Sequence, residues 1–375
     1  MSKDIKILQC YRTFYPESQG GLEHAILEMA SNTPSSEVLT LSEKPGTYFV
    51  GKRKVLVTAN KRWFSVASCC VGFGLLLSLR RHRAQLLHLH FPWPFGDIAY
   101  LLAGRSRPLV ITYQSDIVRQ RFLGILYRPL MHRFLKRADR IVATSQNYVD
   151  SSDVLKNYQD KVEVIPLGIS EGEYPSPSQE TLLSHESHCG RDFMLFVGVL
   201  RYYKGLEYLI RAAAQQPYKV VIAGKGPESL RLKQLAKKLG ADNVIFLGYV
   251  SDEDKIALLQ LCRAVVFPSH LRSEAFGISL VEGLMCGKPL ISCEIGTGTS
   301  FVNCAGETGL VVEPANYLAL REAMGEFWTN PSKARAMGKA ARLRFDNLFT
   351  AKKMAETYKK LYSEVLLERG INING

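Results

Sequence analysis

Short apolar runs rich in Val, Ile and Leu recur along this chain and stop at Gly, Pro or Ser, the pattern of buried strands. In the first half they fall at Ile5–Cys10, Gln85–His90, Leu109–Tyr113, Arg140–Ser145 and Lys161–Gly168. In the second half they fall at Phe193–Val197, Lys219–Ala223, Asn243–Leu247, Arg263–His270, Leu290–Cys293 and Gly309–Pro314. Helical spacing fills the gaps. Leu22, Ile26, Leu27 and Ala30 share one face after Gly20-Gly21, Ser251–Arg263 and Ile278–Met285 read as helices, and helices fill 315–375. The run Trp63–Leu79 holds 17 uncharged residues between Lys61-Arg62 and Arg80-Arg81. That is short of the roughly 20 residues a membrane span needs, and it carries Ser and Gly, so it predicts a buried helix.

Strands alternating with helices over 375 residues predict an α/β protein with two domains. Residues 1–170 form the first and 191–345 the second. Between them 171–190 is polar and proline-bearing, the composition of a linker. His185, His188 and Cys189 fall in that tract and read as solvated residues rather than metal ligands.

Composition adds little to the fold and more to the partners. An apolar content of 46% with 22% charged residues fits a packed globular protein. The eight cysteines lack CxxC spacing, which favours free thiols in a reducing cytoplasm over disulfides or zinc. MSKDIKILQCY enters a strand without a charged-then-apolar leader, so no secretory signal is expected. The net charge of +13 is lopsided: residues 1–170 hold 23 Lys and Arg against 13 Asp and Glu, and residues 171–375 hold 25 against 22. Val118–Arg140 alone carries seven basic residues and one acid, Asp139, among apolar positions at near-helical spacing. A basic amphipathic helix suits an anionic lipid surface. No nucleic-acid-binding module is recognisable, which favours a membrane or a diphosphate-linked partner over nucleic acid.

The densest chemistry lies in Ser273–Pro289, SEAFGISLVEGLMCGKP. Gly277 opens a helix there and Gly287-Lys288-Pro289 closes it, which puts Glu274 in a loop at the helix N-terminus and Glu282 on the helix. N–H groups near Phe276, Gly277 and Ile278, aided by the helix dipole, suit a diphosphate. Glu282 suits a pair of ribose hydroxyls, and Glu274 the hydroxyls of a sugar.

This stretch resembles the retaining GT-B glycosyltransferases of family 4, whose hallmark is Glu-x7-Glu inside SEAFG-like text followed by GxP; here it reads Ser273-Glu274-Ala275-Phe276-Gly277, then Glu282, then Gly287-Lys288-Pro289. The resemblance implies a GT-B fold, two Rossmann-like domains facing across a cleft, with the tail 346–375 ending in a helix that packs back on the first domain. It implies no cofactor and no metal, with a sugar nucleotide as donor substrate. Lys204 matches the lysine that neutralises the donor diphosphate, while Val199 stands where the partner arginine is expected and Arg201 is taken as its substitute. Gly198, Gly224, Gly226, Tyr249 and Val250 fall on the nucleotide side, and Gly20 and Gly21 near the donor phosphates, with Glu23 beside them. His90, of the pair His88-x-His90, is assigned to the acceptor side. Gln114 replaces a histidine usual in the family; with Asp116 it is assigned to sugar recognition, because glutamine does not relay protons near neutral pH.

The texture of RYYKGLEYLI, YQSDIVRQ and EIGTGTSFVN resembles bacterial polysaccharide enzymes that use GDP-mannose or GDP-rhamnose. The expected reaction is metal-independent, retaining transfer of mannose or 6-deoxymannose to a polyprenyl-diphosphate-linked saccharide of O-antigen or another cell-surface polysaccharide. Its expected place is the cytoplasmic face of the inner membrane. The rivals are a UDP-hexose donor on the same fold and, given Val199 and Gln114, a catalytically silent sugar-nucleotide-binding subunit.

Overall fold

The computed structural model describes residues 5–18, 20–33, 35–66, 69–104, 106–116 and 121–371, and for 121–126 the backbone alone. Two compact units emerge, one of residues 1–168 with 351–375, the other of 169–350.

The first unit is built on an eight-stranded sheet. Its strands are β1 (Ile7–Cys10), β2 (Ser36–Ser42), β3 (Gly46–Val50) and β4 (Val55–Lys61). A separate two-stranded hairpin of β5 (Phe64–Val66) and β6 (Cys69–Val71) follows. The sheet resumes with β7 (Leu86–Phe91), β8 (Leu109–Tyr113), β9 (Arg140–Ala143) and β10 (Val162–Val164). The order is β10-β9-β8-β7-β1-β2-β4-β3, parallel throughout except for the edge strand β3. β1, β7 and β8 are buried along their whole length, as strands covered on both faces require.

The second unit carries six parallel strands: β11 (Met194–Val197), β12 (Val220–Ala223), β13 (Val244–Gly248), β14 (Ala264–Phe267), β15 (Leu290–Cys293) and β16 (Gly309–Val312). Their order, β13-β12-β11-β14-β15-β16, runs outward one way from β11 and outward the other way from β14. That reversal opens a crevice beyond the carboxyl ends of β11 and β14, where α/β sheets bind ligands. The six strands of this second sheet are those the sequence predicts, whereas the first sheet adds β2, β3 and β4 to the five predicted.

Three expectations need correction. Trp63–Leu79 is not one helix: it makes the β5–β6 hairpin and only then a helix, Gly74–Arg81. Gly72 is the reason, since a Cβ there would lie 2.3 Å from Lys61 O, so the chain folds back on itself before it can coil. The tract 171–190 is not a free linker. Ser178 caps the helix Gln179–Cys189, which packs along the helix Asp252–Leu261 inside the second unit. Three of its residues tie the two helices together: Glu253 accepts from Ser178 N at 2.9 Å and Thr181 Oγ1 at 2.8 Å, and His185 Nε2 lies 2.8 Å from Asp254. Cys189 is buried. Third, the helix Pro331–Leu348 stays with the second unit, and the change of unit falls at Ala351 rather than at 346.

The last helix, Ala351–Glu368, belongs to the first unit. It buries Tyr358 and Tyr362 against the sheet and is tied at its end by Arg369 to Asp139 and by Glu368 to Arg140. All eight cysteines are free, and burial pushes the Cys10 thiol up to about 12 and Cys262 to about 11. The expected basic helix covers Arg121–Arg137, with Arg128, Arg133, Lys136 and Arg137 exposed; Val118–Gln120 lie outside the described residues. Among the described residues no helix is long and apolar enough to cross a membrane.

Candidate active site

Three loops meet at the carboxyl edge of the second sheet, and glycines set how closely. Gly224, after β12, has φ +145°, and a Cβ on it would stand 1.9 Å from Gly198 O, after β11. Gly205 has φ +68°, and a Cβ there would stand 1.9 Å from Pro268 O, after β14. A Cβ on Gly226 would come within 2.4 Å of Leu200 O. Backbone bonds complete the seam, Leu200 N to Lys225 O at 3.0 Å and His270 N to Tyr203 O at 3.1 Å.

That seam delivers Lys204 and Glu274 to each other. Lys204 ends a short turn, Tyr202–Lys204, and its Nζ donates to Glu274 Oε2. Ser269 Oγ adds a second bond to the same oxygen at 3.3 Å. The ammonium also lies 4.5 Å from the centroid of the Phe267 ring. Both side chains are largely buried, so the pair interacts through protein more than through water. Arg201 starts the same turn, is exposed and has no ion pair among the described residues. Val199, which stands in the expected arginine's place, is likewise exposed.

Beyond Glu274, Phe276 is buried and Gly277, at φ +90°, begins the helix Ile278–Met285. Gly277 offers no side chain to cap the first turn; Leu280 N donates to Gly277 O at 3.0 Å, which leaves the N–H groups of Ile278 and Ser279 to an anion. A Cβ on Gly298 would sit 2.5 Å from Phe276 Cδ2, so the small-residue stretch after β15 is a helical turn packed on Phe276.

Glu282 turns to a different cation. Its Oε1 accepts from Lys255 Nζ at 2.7 Å and from Tyr174 OH at 3.0 Å. Burial opposes the charge on Lys255, but Glu282 and then Asp252 outweigh it and hold the ammonium above its ordinary range. Both bonds use Oε1. Neither Lys255 nor Tyr174 is prominent in the sequence. The one hint is a lysine near the start of a helix, against the dipole, directly after the acids Asp252, Glu253 and Asp254. Tyr249 projects into solvent after β13, with Val250 half-buried beside it.

In the first unit the assigned residues are less uniform. Gly20 precedes the helix Gly21–Asn32, and the Glu23 carboxylate folds over that start. It accepts from Thr13 Oγ1 at 2.9 Å and Ser18 Oγ at 2.6 Å, and a Cβ on Gly20 would come within 2.6 Å of it. Glu23 therefore shapes the glycine pair more directly than its sequence context suggests.

His88 and His90 do not look out together from the strand. Their rings stack at 4.5 Å inside the unit. His88 bonds Tyr362 OH at 2.7 Å and Thr112 Oγ1 at 2.6 Å, and His90 Nε2 lies 3.0 Å from Gln9 Oε1. The shared face follows from the strand period, but the C-terminal helix covers it. Burial lowers His90 to about 3, and burial together with His90 holds His88 well below the usual imidazole range. Gln114 is buried with its side-chain nitrogen unpartnered among the described residues. The Asp116 carboxylate is engaged by Tyr113 OH and Ser152 Oγ, each at 2.8 Å, which makes it a loop anchor. Among the described residues no three His, Cys, Asp or Glu side chains converge as a metal site would need.

Two Rossmann-like units, the second with a charged pair at its reversal point, define the GT-B class of transferases. Residues 19–172 match the family model of glycosyltransferase family 4 and residues 181–344 that of glycosyl transferases group 1. The chain is 47% identical to D-rhamnosyltransferase WbpZ of Pseudomonas aeruginosa, over 92% of this chain and 93% of that protein. It is 43% identical to O-antigen chain mannosyltransferase C of Escherichia coli, over 96% and 99%. Its fold is similar to Anabaena Alr3699/HepE in complex with UDP, with a TM-score of 0.77 at 20% identity over 96% of this chain and 100% of that one. The chain belongs to the family 4 glycosyltransferases, glycosyl transferases group 1.

Proposed function

We propose that this glycosyltransferase moves mannose or 6-deoxymannose from a GDP-sugar, with retention and without a metal, to a polyprenyl-diphosphate-linked saccharide in O-antigen synthesis at the cytoplasmic face of the inner membrane. The observation that carries it is the Lys204–Glu274 pair beside the uncapped start of Ile278–Met285. The activities for which WbpZ and mannosyltransferase C are named support the sugar and the pathway.

The chemistry asks for charge at one place above all, the departing diphosphate. Lys204 has three N–H donors and spends one on Glu274, which leaves two for phosphate oxygens. Arg201 and the first-turn N–H groups add to that stabilisation, and no resident divalent ion is then required. Glu274 orients the sugar and offsets positive charge at its anomeric carbon. Glu282 holds a ribose hydroxyl through Oε2 while Lys255 and Tyr174 fix its orientation. The departing phosphate takes the acceptor proton as the hydroxyl attacks on the same face.

The test is a panel of GDP- and UDP-sugars with a synthetic lipid-diphosphate-saccharide acceptor, with and without chelator, read by mass spectrometry and anomeric NMR. The expected product is an α-linked mannosyl or 6-deoxymannosyl acceptor, formed from the GDP-sugar and unaffected by chelator. Turnover with UDP-sugars alone, loss of turnover with chelator, or inversion of the anomeric centre would each overturn the corresponding part.

A further inference from the structure

Large apolar side chains crowd one exposed part of the first unit. Trp63 is 63% exposed, Phe64 52%, Val66 61%, Phe73 53% and Leu77 50%. Monomeric soluble surfaces scatter such residues singly; a contiguous group of them marks an interaction site. Here five fall within residues 63–77, and two of them touch. The Trp63 and Phe73 rings meet edge to face at 4.9 Å, and Phe73 meets Phe95 at 6.0 Å. Phe64 and Val66 share one face of β5 by the strand period.

The scaffold beneath them is fixed. Trp63 N donates to Val71 O at 2.8 Å, Cys70 is buried, and Trp93 Nε1 donates to Cys70 O at 3.0 Å. The apolar group is therefore displayed by ordered backbone, not by a loose tail.

Charge decides what it meets. On the helix Gly74–Arg81, Leu77, Arg80 and Arg81 stand at i, i+3 and i+4 and share a face. Both arginines are exposed, with no ion pair among the described residues. Tryptophan and phenylalanine beside unpaired arginines match a bilayer interface, where rings sit at headgroup depth and cations meet anionic phosphates.

We propose that the β5–β6 hairpin and the helix Gly74–Arg81 form the surface by which the first unit seats on an anionic phospholipid bilayer, with Trp63, Phe64, Val66 and Phe73 at headgroup depth and Arg80 and Arg81 on lipid phosphates. It rests on the reading of a membrane-borne acceptor and assigns that reading a surface distinct from the basic helix Arg121–Arg137.

The test uses the full chain and vesicles of phosphatidylcholine with or without phosphatidylglycerol. Wild-type protein is expected to co-sediment with the anionic vesicles, and lipids brominated on their acyl chains should quench its tryptophan fluorescence. Because Trp93 is buried and Trp328 belongs to the second unit, Trp63→Phe should remove most of that quenching. Phe64→Ser with Phe73→Ser should weaken vesicle binding about tenfold or more, and Arg80→Gln with Arg81→Gln should do so only where phosphatidylglycerol is present. Turnover on a short, water-soluble acceptor should persist in each variant. If wild type ignores both vesicle types, the membrane reading itself fails. Unaltered binding by the variants, or unquenched tryptophan in bound wild type, overturns only the surface assigned here. A wild-type dimer that Phe64→Ser with Phe73→Ser dissociates, with vesicle binding unchanged, would make the patch a protein contact and overturn it as well.

Discussion

Lys204 Nζ donates to Glu274 Oε2 from the loop after β11 to the loop after β14, so one ion pair spans the place where the second sheet reverses its order. The pair is held on both sides, by Ser269 beneath the carboxylate and by the Phe267 ring beneath the ammonium.

Removing one partner should therefore cost more than removing both. Lys204→Ala leaves a largely buried carboxylate uncompensated and is expected to lower stability by about 3 kcal/mol. Lys204→Met combined with Glu274→Gln, which removes both charges, should lose less. Urea midpoints compare them. Turnover should fall by about 10²–10³ in Lys204→Ala and in Glu274→Gln, in line with the loss of one electrostatic contact to developing charge.

Glu282 should behave differently. Glu282→Gln is expected to raise KM for the donor by roughly tenfold to a hundredfold while kcat changes little, the signature of lost uniform binding. Lys255→Met should move KM the same way by releasing the Glu282 carboxylate from its present orientation. Steady-state kinetics on both variants, with kcat and KM separated, checks it.

The glycine seam makes a structural prediction. Gly205→Ala places a methyl where Pro268 O now lies and demands a left-handed backbone of alanine, so it should cost about 2–4 kcal/mol. Because Gly205 directly follows Lys204, kcat should fall with it. Gly172→Ala, where a Cβ meets nothing within 4 Å, should change neither and serves as the control. Thermal unfolding and donor turnover report the two effects.

The stacked histidines set an acid limit. His88 and His90 stay neutral in the folded unit, His90 down to about 3, whereas unfolded imidazoles protonate near their ordinary value of about 6.5. Between those values the unfolded chain binds more protons, so stability falls as pH drops from about 6.5, by up to about 1.4 kcal/mol per pH unit for each histidine. It is fully present above that window. Replacing His88 and His90 by Gln should flatten the stability profile between pH ~6 and ~4 by that mechanism, as read by urea unfolding at a series of pH values.

Sequence pattern reached far into the sheets because parallel strands are apolar on both faces, and runs such as Met194–Val197 and Ala264–Phe267 have no other economical fate. Glu274 and Glu282 were legible because a glycine-bounded helix fixes where each carboxylate starts. What pattern missed was the partner far away in sequence. The face shared by His88 and His90 follows from a period of two, but the Tyr358 and Tyr362 side chains that cover it come from the far end of the chain. The tract 171–190 has the composition of a linker because many of its polar side chains are exposed, while Ser178, Thr181 and His185 tie it to Glu253 and Asp254, and composition does not tell these apart. Trp63–Leu79 misled for the opposite reason: a run without charges reads as buried, yet Trp63, Phe64, Val66, Phe73 and Leu77 are exposed.

Tyr358 and Tyr362, which complete the polar cluster around His88 and Thr112, sit on a segment translated after the whole of the second unit. The second unit is one unbroken stretch, 169–350, and has every residue it needs while synthesis is still under way. The first unit, although translated earlier, keeps an uncovered sheet until the tail arrives. Nascent chains stalled before residue 351 should thus protect the later-made half from protease while the earlier-made half is still cut.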